Sequence, residues 1–217
     1  MVIIESREKY TADDLLEIVS LLRSPSGCPW EAEQTHQSIR RNMVEEAYEA
    51  AEAIDRCDKA LLCEELGDVL LQVVFHASIA ADAGDFTFDD IADGICKKLI
   101  VRHPHVFSDV QVSGSSEVIG NWEEIKRNVK GYTTLAETLR GVSAALPGLM
   151  RLQKMANKCV EANMLLPEGQ GFAQKLMALA LEANAQDVDL ETVVAELCRA
   201  IIMQAEMPGS SSGKTCS

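Results

Sequence analysis

The residues best suited to chemistry lie in "NMVEEAYEAAEAIDRCDKALLCEELGDVLLQVVFHA", Asn42 to Ala77, with one set of carboxylates at Glu45, Glu46 and Glu49 and a second at Glu64, Glu65 and Asp68. Residues three or four apart share a helix face, so Glu46 and Glu49 point the same way, flanked by Glu45 and Glu52, and Glu65 and Asp68 repeat the pattern. If two such helices pack antiparallel, four carboxylates meet between them, and they cannot all stay ionised without cations to neutralise them. Hard oxygen ligands of this kind suit Mg²⁺, with Mn²⁺ as the alternative ion. A merely solvated acidic face has the same spacing. Two features speak against it. Glu64, Glu65 and Asp68 sit among Leu61, Leu62, Leu66, Val69, Leu70, Val73 and Val74, apolar over most of the circumference. Gly67 lies mid-helix, where it costs about 1 kcal/mol relative to Ala and suggests a backbone pressed close to a neighbour.

The elements that must position these acids are legible from caps and breakers. Thr11 to Arg23 reads as an amphipathic helix with a capping box from Thr11 to Asp14. "SPSGCPW" follows, a loop that its Pro and Gly prevent from continuing the helix. A second helix is expected from about Ser38 to Asp55 and a third from an Asp58 cap to Ala83, stopped by Gly84, so the short link makes an antiparallel hairpin. "TFDD" opens a fourth helix that ends near Arg102, before Pro104. Further helical pieces are expected around Trp122 and Lys126, and at roughly 135 to 162, 171 to 185 and 190 to 206. The fold class is all-α, a four-helix-bundle-like core with additional C-terminal helices. "PGSSSGKTCS" has the composition of a disordered tail.

Composition narrows the partners. With 217 residues the chain can bury a core, and a formal net charge of -14 opposes a nucleic-acid backbone while permitting a small phosphorylated ligand where bound cations invert the local sign. Seven scattered cysteines without a C-x-x-C pair fit a reducing cytoplasm. No run of 18 apolar residues occurs, and neither a membrane span nor a secretion signal is indicated.

At this point the residues resemble the MazG nucleoside triphosphate pyrophosphohydrolases, members of the all-α NTP pyrophosphatase superfamily. "SGCPWEAEQTHQSIRRNMVEEAYEAAEAI" is similar to that family's C-P-W-D-x-x-Q-T-H segment and E-E-x-x-E helix, "EELGDVLLQVVFHA" to its E-x-x-D helix, and "KKLIVRHPHVF" and "NWEEIKRNVK" to its next two blocks. The resemblance runs over about residues 12 to 157, with Glu31 where the family usually has Asp. It implies that Glu46, Glu49, Glu65 and Asp68 ligate Mg²⁺, that Glu45 orients or deprotonates water, that Lys98 and Arg102 hold triphosphate oxygens, and that Trp122 and Lys126 contact substrate. It also implies hydrolysis of NTPs and dNTPs to a monophosphate and pyrophosphate and a nucleotide-pool cleaning role; an active site at a helical hairpin, with adjoining segments that can come from a second chain, makes a homodimer the expected form. Longer relatives carry a second acidic set, which residues 158 to 217 lack. The expected organisation is therefore a catalytic helical domain over 1–130, a degenerate helical region over 131–207 and the tail over 208–217.

Other readings stay beside this one. A pyrophosphatase specialised for dUTP, dCTP or phosphoribosyl-ATP uses the same chemistry, and a non-catalytic interaction module would leave the acids solvated. A di-iron oxidase wants Glu-x-x-His pairs that do not align with the acidic set. "RHPHVF" lacks zinc-ligand spacing and reads as a helix-ending segment packed by Val106 and Phe107. His36 and His76 read as structural, and a Trp in a helical protein is more often core than a base-stacking platform.

Overall fold

The computed structural model describes residues 7–164, 169 and 171–206. Its described residues form helices and no strand, in agreement with the all-α expectation. They group into two compact units, Met1–Val110 and Gln111–Ser217. Packing thus divides the chain ahead of residue 115, whereas the sequence reading puts a boundary after residue 130. The tail expected over 208–217 lies outside the described residues.

The first unit contains α1 (Ala12–Arg23), α2 (Pro29–Ala32), α3 (Arg40–Asp55), α4 (Lys59–Ala83), α5 (Phe88–Arg102) and α6 (Pro104–Phe107). Two of these helices begin on full capping boxes, Thr11 with Asp14 and Thr87 with Asp90, each hydroxyl accepting from the N3 amide while the carboxylate accepts from the cap amide. Asp58 caps α4 by accepting from the Ala60 and Leu61 amides, after Cys57 turns the chain with φ 53°. Gly84, at φ 74°, ends α4. The most extensive helix contact is the α3–α4 hairpin, and α1 packs on the other flank of α4. Val19, Ile39, Val74 and Phe75 form the core, with Leu15, Leu16, Leu71, Ile79 and Phe88 around it. By length and composition α4 is apolar enough to cross a membrane; here its Val74, Phe75, Ala77 and Ala80 are buried in this unit.

Arg23 fixes the segment that precedes the acidic helices. Its nearly buried guanidinium donates to Ser78 Oγ at 3.1 Å, to the Glu31 carbonyl at 2.8 Å and to Asp82 at 2.7 Å, and lies 5.8 Å from the Phe75 ring centroid. It thereby ties α1, the C-P-W turn and α4 together. The turn itself is a loop ending in a short helix with Pro29 at its start, where a missing amide loses nothing. Its backbone folds so tightly onto α1 that a Cβ at Gly27 would lie 2.1 Å from the Leu21 carbonyl oxygen and 2.4 Å from that of Leu22. Trp30, at the turn's end, is exposed rather than core.

The second unit contains α7 (Ser115–Lys130), α8 (Leu135–Arg140), α9 (Gly148–Glu161), α10 (Phe172–Ala185) and α11 (Leu190–Glu206). The helix expected over 135 to 162 is broken, because residues 141–147 carry Gly141 and Pro147 and turn instead. Buried Gln153 holds this unit together: its amide donates to Asn184 Oδ1 at 3.1 Å and the Val188 carbonyl at 2.7 Å, and its carbonyl accepts from the Leu190 amide at 2.9 Å. Ala156, Ala180, Ala183 and Leu190 pack around it.

Two glycines give opposite predictions. Gly27→Ala forces a methyl group into main-chain atoms and lowers stability by about 1–3 kcal/mol. Gly67, expected to face a close neighbour, faces open space within 4 Å; Gly67→Ala therefore raises stability by about 0.5–1 kcal/mol. Urea unfolding of both variants checks the pair, and a destabilised Gly67→Ala would show that a partner absent from the single chain approaches α4 there.

Candidate metal and active site

The acids occupy the seam along which the hairpin packs. On α3 the seam runs through Glu46, Glu49 and the buried Ala50 and Ala53; on α4 it runs through Glu65, Asp68 and the buried Gln72 and Phe75. Small alanines near the hairpin's closed end let the backbones come together, and the acids face one another further along. Glu46, Glu49 and Glu65 each offer a carboxylate oxygen, all within 4.8 Å of one another. Octahedral coordination of Mg²⁺ at about 2.0–2.1 Å spaces oxygens roughly 3–4 Å apart, so the set fits a hard divalent cation with little closure.

Electrostatics mark the same group. Desolvation, followed by the charges of Asp68, Glu49 and Glu65, raises the Glu46 carboxyl above the ordinary glutamate value. Desolvation and the charges of Glu49, Asp68 and Glu64 do the same for Glu65. Glu46, Glu65 and Asp68 are half-buried, while Glu49 and Glu64 are exposed. A divalent ion bound among these carboxylates would offset both causes, since it favours their charged forms.

The remaining predicted residues fall in different places. Glu45 is exposed beside the group, 3.7 Å from Arg41 one turn earlier. Lys98 and Arg102 lie one turn apart on α5, Lys98 exposed and Arg102 buried. Trp122 and Lys126 lie one turn apart on α7, both half-buried, in the second unit. The sequence reading of "RHPHVF" is corrected in part: Val106 and Phe107 are exposed and pack nothing down. His103 Nδ1 instead lies 2.7 Å from the Leu99 carbonyl at the end of α5. His36 and His76, read from the sequence as structural, meet: their Nδ1 atoms are 2.8 Å apart and the rings stack at 5.1 Å. One ring donates and the other accepts. Burial and the neighbouring His36 lower the His76 value, which suits a structural imidazole that joins the QTH turn to α4. Arg23 and this histidine pair were missed as positioning groups, since only the fold brings residues so distant in sequence together.

Fold and site together define a class: an all-α protein with a helical hairpin that gathers carboxylates from both of its helices. The MazG nucleotide pyrophosphohydrolase domain model matches residues 34–107, which include both acidic helices, Lys98 and Arg102. The chain is 39% identical over 196 residues to the nucleoside triphosphate pyrophosphohydrolase of Escherichia coli strain K12, covering 90% of this chain and 71% of that one. It is 49% identical over 138 residues to YabN of Bacillus subtilis strain 168, an uncharacterized protein, covering 64% of this chain and 28% of that one. A solved structure of a mazG-related protein from Thermotoga maritima, 28% identical, aligns with 54% of this chain and 99% of that chain at a TM-score of 0.46. The chain belongs to the MazG family.

The repulsion within the acid set has a definite sign. Glu46 binds its proton more tightly in the folded chain than in the unfolded one, so below the ordinary value of 4.5 no penalty exists. Stability then falls as pH rises through the raised folded value. In metal-free buffer at pH 7, Glu46→Gln melts at a higher temperature than the wild type, and the difference shrinks toward pH 4. A lower melting temperature at pH 7 would show that the carboxylates are already compensated within the chain.

Proposed function

We propose that this chain hydrolyses nucleoside triphosphates, NTPs or dNTPs, to a nucleoside monophosphate and pyrophosphate, with Mg²⁺ held by Glu46, Glu49, Glu65 and Asp68, and with Mn²⁺ as the substitute ion. The observation that carries this reading is the convergence of carboxylate oxygens within 4.8 Å on two facing helices of a MazG-family chain. When bound, Mg²⁺ supplies Lewis acidity toward the phosphate oxygens. Glu45, exposed beside the ligand set, orients the attacking water and takes its proton. The water oxygen attacks the α-phosphorus, the bond from that phosphorus to the bridging oxygen breaks, and pyrophosphate leaves. Lys98 and Arg102, on one face of α5, offset the charge that builds on the leaving group. Trp122 and Lys126 serve as further substrate contacts, which extends the catalytic region into α7, to about residue 130. Residues 131–207 then form the shortened helical region without a second acidic set.

The role that follows is removal of surplus or aberrant nucleotides in the cytoplasm, a compartment consistent with six free thiols among the described residues. Neither a nucleic acid nor a membrane is part of this reading. The working form is a homodimer. In support, the first unit exposes apolar pairs one turn apart on three successive helices: Val44 and Tyr48 on α3, Leu66 and Leu70 on α4, and Ile95 and Leu99 on α5.

Product analysis with ATP, GTP and their deoxy counterparts tests the reaction. Monophosphate and pyrophosphate are expected in Mg²⁺ and nothing in EDTA; Glu49→Gln or Asp68→Asn should lower turnover by about 100-fold or more while far-UV circular dichroism stays helical, since even groups that only orient metal ligands contribute 10–100-fold. Diphosphate and orthophosphate as products would move the attack to the γ-phosphorus. Sedimentation at the mass of one 23.7 kDa chain would remove the dimer.

A further inference from the structure

The second unit has a cavity of about 440 Å³ whose wall reverses the sign of the protein. Arg127 and Lys130 come from α7, Lys154 and Lys158 from α9, and Lys126 also reaches the wall, against the single acid Glu161. In a chain of net charge -14, five of its 20 Lys and Arg residues line one cavity. Cations in the last turn of a helix are ordinary, because they complement the helix dipole, and Arg127, Lys130 and Lys158 meet that description. Lys154 does not, and a dipole gives no reason for cations of two helices to line one cavity, where Lys130 Nζ lies 5.6 Å from the Tyr132 ring centroid.

The rest of the wall is built for a polar ligand. The Tyr132 ring lies on Gly141 so closely that a Cβ there would fall 2.7 Å from its hydroxyl oxygen, and both residues line the cavity. Thr138, Ser143 and Asn157 add hydroxyl and amide groups. The volume falls in the range of small-molecule sites and is too small for a folded partner. Clustered Lys and Arg with hydroxyl donors recognise multiply charged phosphate oxygens.

We propose that this cavity is a metal-independent binding site for the pyrophosphoryl group of a small molecule, whether free pyrophosphate or the phosphate chain of a nucleotide. None of the carboxylate set lines it; that set requires a cation before it can accept an anion, whereas here the chain itself supplies the positive charge, and Lys126, proposed above as a substrate contact, is the residue the two readings share. A phosphate-bearing product or nucleotide held in this cavity would give the second unit a ligand-sensing role, so that the unit is more than packing.

Calorimetric titration of pyrophosphate, ATP and inorganic phosphate into the full chain, in EDTA and physiological salt, tests the site. Pyrophosphate and ATP should bind once per chain, both more tightly than phosphate. Arg127→Gln with Lys154→Gln should weaken that binding at least tenfold, Lys130→Gln alone should weaken it measurably, and Glu65→Gln should leave it unchanged. EDTA removes the metal that the carboxylates need, and the Arg127/Lys154 variant separates this cavity from Lys98 and Arg102, so loss of hydrolysis and loss of this binding are separate results. No binding in EDTA, equal binding by the Arg127/Lys154 and Lys130 variants, binding of ATP without pyrophosphate, or preference for a single-stranded oligonucleotide would each overturn the assignment.

Discussion

Everything in the first unit depends on keeping like charges together. Glu46, Glu49, Glu65 and Asp68 lie together along the α3–α4 seam, where desolvation first and the neighbouring charges second raise Glu46 and Glu65. A hairpin held only by its acidic end would open. The opposing force is apolar burial further along the same helices and on their other faces, at Ala50, Ala53, Val74, Phe75 and the α1 residues packed against them. The Arg23 clamp, the Gly27 turn and the His36–His76 pair hold the preceding segment against α4. In the proposed reading this preorganises the hairpin: the carboxylates are held in place before a cation arrives, and its binding would relieve their repulsion.

The helices were legible in the sequence because their signals are local. Thr11, Asp58 and Thr87 reach amides two or three residues away, and Gly84 needs only its own backbone freedom, so those ends lie within a few residues of expectation. The acidic pairing was legible for a related reason: helical spacing puts Glu46 with Glu49 and Glu65 with Asp68, and a short link dictates an antiparallel partner. Where the reading went astray, the deciding contact was distant or lay in the surroundings. Gly67 has the sequence signature of a close approach, yet nothing meets it. Val106 and Phe107 are apolar but exposed. The helix expected across 135 to 162 was drawn through Gly141, where Tyr132 leaves no room for a side chain.

The two units also show how net charge hides local chemistry. A total of -14 argues against anionic partners as a whole-molecule statement. Yet in the proposed function the acidic hairpin becomes an anion site once a divalent ion is bound, and the cavity lined by α7 and α9 carries five Lys and Arg residues without one. Both features are invisible to composition, because each depends on which residues share a face or a cavity.

The central claim is that the α3–α4 carboxylates are cation ligands and not a solvated acidic face. Titration of Mn²⁺ followed by electron paramagnetic resonance tests it without requiring a substrate. The free-ion signal should fall saturably with the wild-type chain, and the same titration of Glu49→Gln or Glu65→Gln should leave most of the ion free. Mn²⁺ bound equally by these variants, or not bound by the wild type at all, would contradict the account.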